Sequence, residues 1–431
     1  MKRLLVGTAT AALAVYTGLI LSAQNRGSTL PSCDPNNGGL KLPEGFCALG
    51  VADNLGIGRH MVVAPNGDLF ISLRDQMQTP GAVVGLRDTD GDGRFDVREK
   101  FGNRGGTGIA LRNGYLYHAQ QTAVVRYRLK EGELKPSGPA ELLATLPEQR
   151  GHTEKGLAFD GRGGMYVNVG APSNACQEKD RTAGSPGQTP CPLLEKHGGI
   201  WRFDENKAGQ SQESGGRRYA TGMRQFYSLA WHAGGLYVVQ HGRDQLDTLF
   251  PRFFNSKQNA ELPSEELLRI EEGSNFGWPY CYHDWQQGKR LQMPEYGGDG
   301  KKVGDCAKYP LPVGAYPGHW APGDLMFYNG VQFPKKYQGG AFIAFQGSWN
   351  RAPEPAGGYK VVFQPFIAVK ASGPYEVFAD GFAGVSPLMT REEAVARPAG
   401  LAQAQDGSIY ISDLVTGKIW RVIYRGGAQT N

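Results

Sequence analysis

Hydrophobic and polar positions along this chain alternate in short bursts, with no long stretch of helical period. One phrase recurs: a small-apolar stretch, a turn carrying Gly, then a second alternating stretch. It runs from Met61 to Ser72 around Asn66-Gly67, and from Gly108 to Tyr117 around Asn113-Gly114. It returns at Gly156 to Val167, Ser228 to Val238 and Gly400 to Ile411, and a divergent copy from Gly330 to Ala344 makes six. Asn-Gly and Asp-Gly supply the positive φ of a tight hairpin, and period-two alternation turns one face of each strand toward a core. Further strands follow some copies, as at Ala123 to Tyr127 and Lys418 to Ile423. Three or four strands per unit, repeated six times, predict an all-β chain folded as a six-bladed β-propeller, which hides its sheet edges by radial repetition. A sandwich with chance hairpins is the competing architecture. Two insertions, 173–199 and 252–322, exceed ordinary loop length and are expected to be functional or pinned by disulfides.

The first residues have a different pattern. Lys2 and Arg3 precede an uncharged run from Leu4 that closes on Leu21-Ser22-Ala23, the layout of a cleaved export signal. The run, at about 20 residues, is also long enough to serve as a retained anchor. The expected organisation is therefore a leader or anchor at 1–23, an N-terminal extension at 24–57 and the propeller at 58–431. Six cysteines, Cys33, Cys47, Cys176, Cys191, Cys281 and Cys306, fall in three sequence-local pairs. In an exported chain an even count reads as disulfides, and pairing within each local couple is the inference drawn. Periplasmic or secreted localisation follows, with membrane attachment only if the first segment is retained. The 62 Gly and 27 Pro are scattered, which excludes a helical bundle, and a net charge of +5 is too thin to imply nucleic acid.

A propeller gathers its binding residues where loops from all blades converge. His152 stands just before the third copy, where an imidazole can act as a general base. Arg224 and Gln225 stand before the fourth. Arg59 precedes the first copy, Arg351 follows the fifth and Arg397 opens the sixth, a cation set suited to a polyanionic ligand. A separate signal is local: Asp88, Asp90, Asp92, Asp96 and Glu99 occupy positions 1, 3, 5, 9 and 12 of a twelve-residue loop with Gly93 at position 6. That is the calcium-loop pattern, here next to a strand rather than a helix. An acidic hairpin turn is the plain alternative.

Taken together, His152, Met223-Arg224-Gln225, His241-Gly242-Arg243-Asp244, Asn275-Phe276-Gly277-Trp278-Pro279 and Gly347-Ser348-Trp349-Asn350-Arg351 resemble the glucose/sorbosone dehydrogenases that use pyrroloquinoline quinone (PQQ), closest to their sorbosone dehydrogenase-like branch. The resemblance covers about Gly58 to Tyr424 and also implies a six-bladed propeller. It implies His152 as catalytic base and Arg224 as the arginine on the quinone carbonyl. Arg59, Gln225, Arg351 and Arg397 would face the cofactor, and the backbone carbonyls of Gly242 and Arg243 would hold a Ca²⁺ ion. The implied substrate is a sugar or related aldehyde or alcohol, with an external cytochrome or quinone taking the electrons. Two positions depart from the family pattern: Gln346 stands where relatives often have His, and Ala171 where glucose dehydrogenases have an acid that orients the base. A calcium-dependent lactone hydrolase and a non-catalytic binding module are the alternatives from other classes.

Overall fold

The computed structural model describes Leu30 to Gly426. The leader or anchor read at 1–23 lies outside the described residues. Six sheets of four strands carry the fold, each an antiparallel meander, one of them extended by a fifth short strand, Ser274–Asn275. Their innermost strands are Gly58–Val63, Gly106–Arg112, Leu157–Phe159, Gln225–His232, Pro322–Phe327 and Pro398–Gln403. Each touches the innermost strand of the next sheet around a closed ring, so the chain is a six-bladed β-propeller.

The blades are stacked face to face, which explains why many strands read as unbroken apolar runs: Ala341–Phe345 is buried at all five positions. The core is therefore a set of layers between neighbours. Phe70, Val83, Leu116 and Val125 fill the gap between the first and second blades, and Val239, Leu267, Leu325 and Ile343 that between the fourth and fifth. The turn chemistry is as expected at Asn113-Gly114, where both residues hold positive φ (+51° and +76°).

Two expectations need correction. The strand Phe46–Ala52 pairs with Ile419–Tyr424 as the outermost strand of the sixth blade, so the propeller begins within the segment read as an extension. Ring closure is the physical reason, since an outer strand from the other chain end covers an edge that would otherwise be open. The divergent fifth copy was also displaced in register. Its inner strand is Pro322–Phe327, while 330–333 lie in the connecting loop with Val331 84% exposed.

Three disulfides, Cys33–Cys47, Cys176–Cys191 and Cys281–Cys306, join the local pairs, and the latter two tie down the long insertions. They are the bonds of a chain that folds in an oxidising compartment. Among the described residues no helix is long and apolar enough to cross a membrane.

A candidate active site at the channel mouth

Every first strand starts, and every second strand ends, at one end of the central channel, so residues at those positions converge there. The structure brings Arg59, His152, Arg224, Gln225 and Arg397 to this mouth. His152 holds a left-handed backbone (φ +50°), an arrangement that persists only where surroundings enforce it. Its Nδ1 lies 2.5 Å from the carbonyl oxygen of Ala171. A carbonyl can only accept, so Nδ1 carries the proton and Nε2, which makes no hydrogen bond among the described residues, presents its lone pair. The orienting group missing from the side chain of Ala171 is thus supplied by its backbone. Burial, with the charge of Arg224, pushes the imidazole down to about 3, so it is neutral at physiological pH.

Arg224 is the buried hub. Its Nη1 donates to Gly242 O at 2.9 Å, and its Nη2 to Asn174 Oδ1 at 3.0 Å and Asp244 Oδ2 at 2.8 Å. Asp244 also accepts from Arg181 at 2.8 Å. Burial alone would raise the Asp244 carboxyl, but Arg224, His319 and Arg181 outweigh it and hold the group well below the carboxylate range. Gln225 donates from Nε2 to Glu154 Oε2 at 2.9 Å, and the other Glu154 oxygen lies 3.6 Å from Arg59 Nη2. Arg397 caps the carbonyls of Gln346 and Gly347 at 2.8 and 2.7 Å, and Gln346 donates to the Tyr227 hydroxyl.

Three buried polar atoms here have no partner: Arg59 Nε, Arg224 Nε and Gln225 Oε1. Buried polar atoms are rarely left unpaired, and a cluster of them in a mouth marks ligand-facing chemistry. Gly170 keeps this corner tight. A Cβ there would meet Gln225 Oε1 at 2.4 Å and the His152 carbonyl oxygen at 2.9 Å. Gly170→Ala is therefore expected to shift His152 off Ala171 and cut turnover by more than about tenfold at near-parental melting temperature, checked by steady-state kinetics beside thermal denaturation.

The proposed cation ligands are arranged unequally. Gly242 O is shared with Arg224, while Arg243 O accepts no hydrogen bond among the described residues. The Arg243 side chain is not incidental to the site: fully buried, it grips Glu295 at 2.6 and 2.7 Å. Glu265 is buried beneath this turn, accepting from Gly242 N at 3.1 Å and Ala321 N at 3.0 Å, and burial raises it to about 8.

Arg351 does not join the mouth set. Its guanidinium is committed to Glu261 at 2.7 Å and to the carbonyls of Ala260, Gly318 and Pro355. The acidic loop lies on the opposite face of the propeller and away from the channel, because the third strand Val83–Arg87 carries the chain away from the mouth and the loop packs against the outer strand Phe46–Ala52 through Arg94 and Gly50. There Asp88, Asp90 and Asp92 come together, whereas Asp96 is bound to Thr89 and Glu99 faces Lys135 at 3.8 Å. Glu154, Asn174, Asp244 and Glu265 were not singled out from the sequence. Two of them left a signal: Glu154 stands two residues after His152, and Asp244 closes the phrase His241-Gly242-Arg243-Asp244.

The family described as TrAA12-like matches residues 40–425. A PQQ-dependent pyranose dehydrogenase from Coprinopsis cinerea is 25% identical over 218 residues, 44% of this chain and 28% of that protein. An uncharacterized protein of Borreliella burgdorferi is 29% identical over 208 residues, 48% of each. The chain thus spans half or less of the curated relatives that it matches. Among solved structures, the holo PQQ domain of the Coprinopsis cinerea pyranose dehydrogenase superposes with a TM-score of 0.70 at 17% identity, covering 89% of this chain and 97% of that one. The calcium structure of the Trichoderma reesei carbohydrate-active enzyme of family AA12 gives 0.72 at 18% identity, covering 90% and 97%. The apo aldose sugar dehydrogenase of Escherichia coli gives 0.57 at 16% identity, covering 88% and 100%. These likenesses share the propeller, and the match over nearly the whole folded region means that the chain belongs to the TrAA12-like family, a relative of the PQQ-dependent sugar dehydrogenases that its motifs resemble.

Proposed function

We propose that this chain is a quinoprotein dehydrogenase that oxidises a sugar or a related aldehyde or alcohol with PQQ as its cofactor and an external acceptor for the electrons. The observation that carries this reading is the set of orphaned buried atoms on Arg59, Arg224 and Gln225, facing the same mouth as a neutral histidine with a free Nε2. The guanidinium donors of Arg59 and Arg224, with Gln225 Oε1 left as an acceptor beside them, suit a planar tricarboxylic quinone, and a lactone would not need such donors. When bound, the quinone supplies the two-electron acceptor.

The chain's own residues do the rest. Arg59, Arg224, Gln225 and Arg397 hold and orient the anion, and Arg224 is kept in place by Asn174 and Asp244. The carbonyls of Gly242 and Arg243 would hold a Ca²⁺ ion, which adds positive charge where electron density collects. His152 Nε2 takes the proton of the reacting hydroxyl, while the Ala171 carbonyl fixes the ring and its tautomer. Arg351 is left out of this assignment.

Purified protein is expected to bind PQQ in the presence of calcium, followed by its absorbance, and then to reduce an artificial dye when aldoses are added. No PQQ binding with calcium present would overturn the reading in favour of lactone hydrolysis or a binding module.

On the opposite face, away from the channel, a calcium ion on Asp88, Asp90 and Asp92 would be structural. Asp90→Ala with Asp92→Ala is expected to lessen the calcium-dependent rise in melting temperature, leaving only the part due to the Gly242–Arg243 site, since a ligand bound only by the folded state stabilises it by mass action. Identical melting of parent and variant across a calcium titration would leave this loop as a polar turn.

A further inference from the structure

Glu154 carries the one carboxylate that meets both Arg59 and Gln225, two residues assigned above to the cofactor. Its side chain is 17% exposed, so it borders the mouth rather than the core. The two pairings differ in kind. The bond to Gln225 is a good hydrogen bond at 2.9 Å, whereas the 3.6 Å approach to Arg59 is a charge pair without one. Arg59 is correspondingly under-used: its other contact is a 3.4 Å approach to the Tyr227 hydroxyl, and its Nε is buried and orphaned. Arg224 by contrast is held by three short bonds. Arg74 adds a second positive charge beside Glu154. Although burial opposes ionisation, Arg59 and Arg74 hold the Glu154 carboxyl at about 2, so it is an anion at every working pH. The Arg397 guanidinium rests on two backbone carbonyls and makes no ion pair with a carboxylate among the described residues.

We propose that Glu154 is a resident anion standing in the cofactor's charge cradle, which holds Arg59 loosely in its absence and competes with the incoming carboxylates for it. This rests on the PQQ reading above. A carboxylate accepts hydrogen bonds but, when ionised, donates none, so Glu154 cannot bond to a cofactor carboxylate and can only repel it. It is accordingly a tuning residue of the cofactor site: it keeps the empty cluster from carrying an uncompensated charge and makes the filled one weaker than its arginines alone would. Glutamine at this position keeps the acceptor for Gln225 and removes the charge.

The test is a fluorescence titration of calcium-loaded protein with two probes, PQQ and benzene-1,3,5-tricarboxylate, for the parent, Glu154→Gln, Arg59→Gln and the double variant. Glu154→Gln is expected to bind each probe about tenfold tighter at low salt, with the gain shrinking as ionic strength rises and screens the charge. The gain should also shrink in the Arg59→Gln background, because the competition is for that guanidinium. A parent that ignores PQQ, with Glu154→Gln still tightening the tricarboxylate, would refute the cofactor reading and support the role of Glu154. A parent that binds PQQ, with a folded Glu154→Gln that binds both probes no better or more weakly, would overturn the proposal. Should Glu154→Gln melt early, Glu154→Asp, which withdraws the carboxylate by one methylene, is read in the same titration with the same sign and a smaller gain.

Discussion

His152→Ala protein is expected to bind PQQ with parental affinity, yet to pass electrons from substrate to the bound quinone about a hundred- to ten-thousand-fold more slowly, the usual loss on removing a general base. The separation is expected because, on the proposed assignment, the charged grip on the cofactor would lie in Arg59, Arg224 and Arg397, while His152 offers only a neutral lone pair. Single-turnover absorbance of the bound quinone isolates the step from later electron transfer. Reduction at the parental rate would remove His152 from the chemistry. A pH profile gives a second check. A histidine at the ordinary value would lose activity on acidification near pH 6.5. Burial and Arg224 instead push this one to about 3, so the base is unprotonated throughout the neutral range and is lost only as pH falls toward 3. The acid limb of kcat/KM, measured on protein that remains folded, should therefore lie below pH 5. Arg224→Ala should behave differently, weakening cofactor binding as well as rate, since its contact is made before and during the reaction.

The largest expected loss of stability comes from a residue chosen in the sequence for its carbonyl alone. Arg243→Ala leaves the Gly242–Arg243 carbonyls chemically intact but strands Glu295, a carboxylate with no exposed side-chain surface. Removing one partner of a buried ion pair costs about 3–5 kcal/mol, because the remaining charge is uncompensated. Denaturant unfolding should show that drop, together with weaker calcium binding, since Arg243 Nε also holds the Asp244 carbonyl at 3.0 Å. Replacing both members, Arg243→Met with Glu295→Leu, should recover most of the lost stability, as apolar substitutes for buried pairs often do. If the double variant were no better than the single one, lost packing against Phe250 rather than stranded charge would be the cause.

These two residues also mark how far the sequence could be read. Hairpin chemistry at Asn113-Gly114 and the repeated alternation revealed the blades, because turns and strand faces depend on residue type and spacing. His152, Arg224 and Gln225 were legible for a related reason: their place before a first strand fixes their end of the channel. What a long side chain does with its tip is not written locally. Arg351 occupies an equally promising phrase, yet its guanidinium closes on Glu261, ninety residues away. The Ala171 carbonyl that aims His152 was invisible because any residue has one. Position 171 looked like a defect when only side chains were compared. The displaced fifth copy has a similar origin, since Gly330 to Phe333 imitates the small-apolar start of an inner strand.

The outer strand Phe46–Ala52 has a consequence for how the ring is built. Its partner, Ile419–Tyr424, is synthesised only after the five blades between them, so Phe46–Ala52 waits unpaired while those blades take shape. The contact joins strands far apart in the chain, the kind that is slowest to form. Until it does, the sixth blade lacks its outermost strand and meets the first blade through its inner strands, Pro398–Gln403 against Gly58–Val63, which carry Arg397 and Arg59 at their mouth ends. A chain stopped short of Ile419 would therefore hold most of its strands, with the join beside Arg59 and Arg397 resting on inner strands alone.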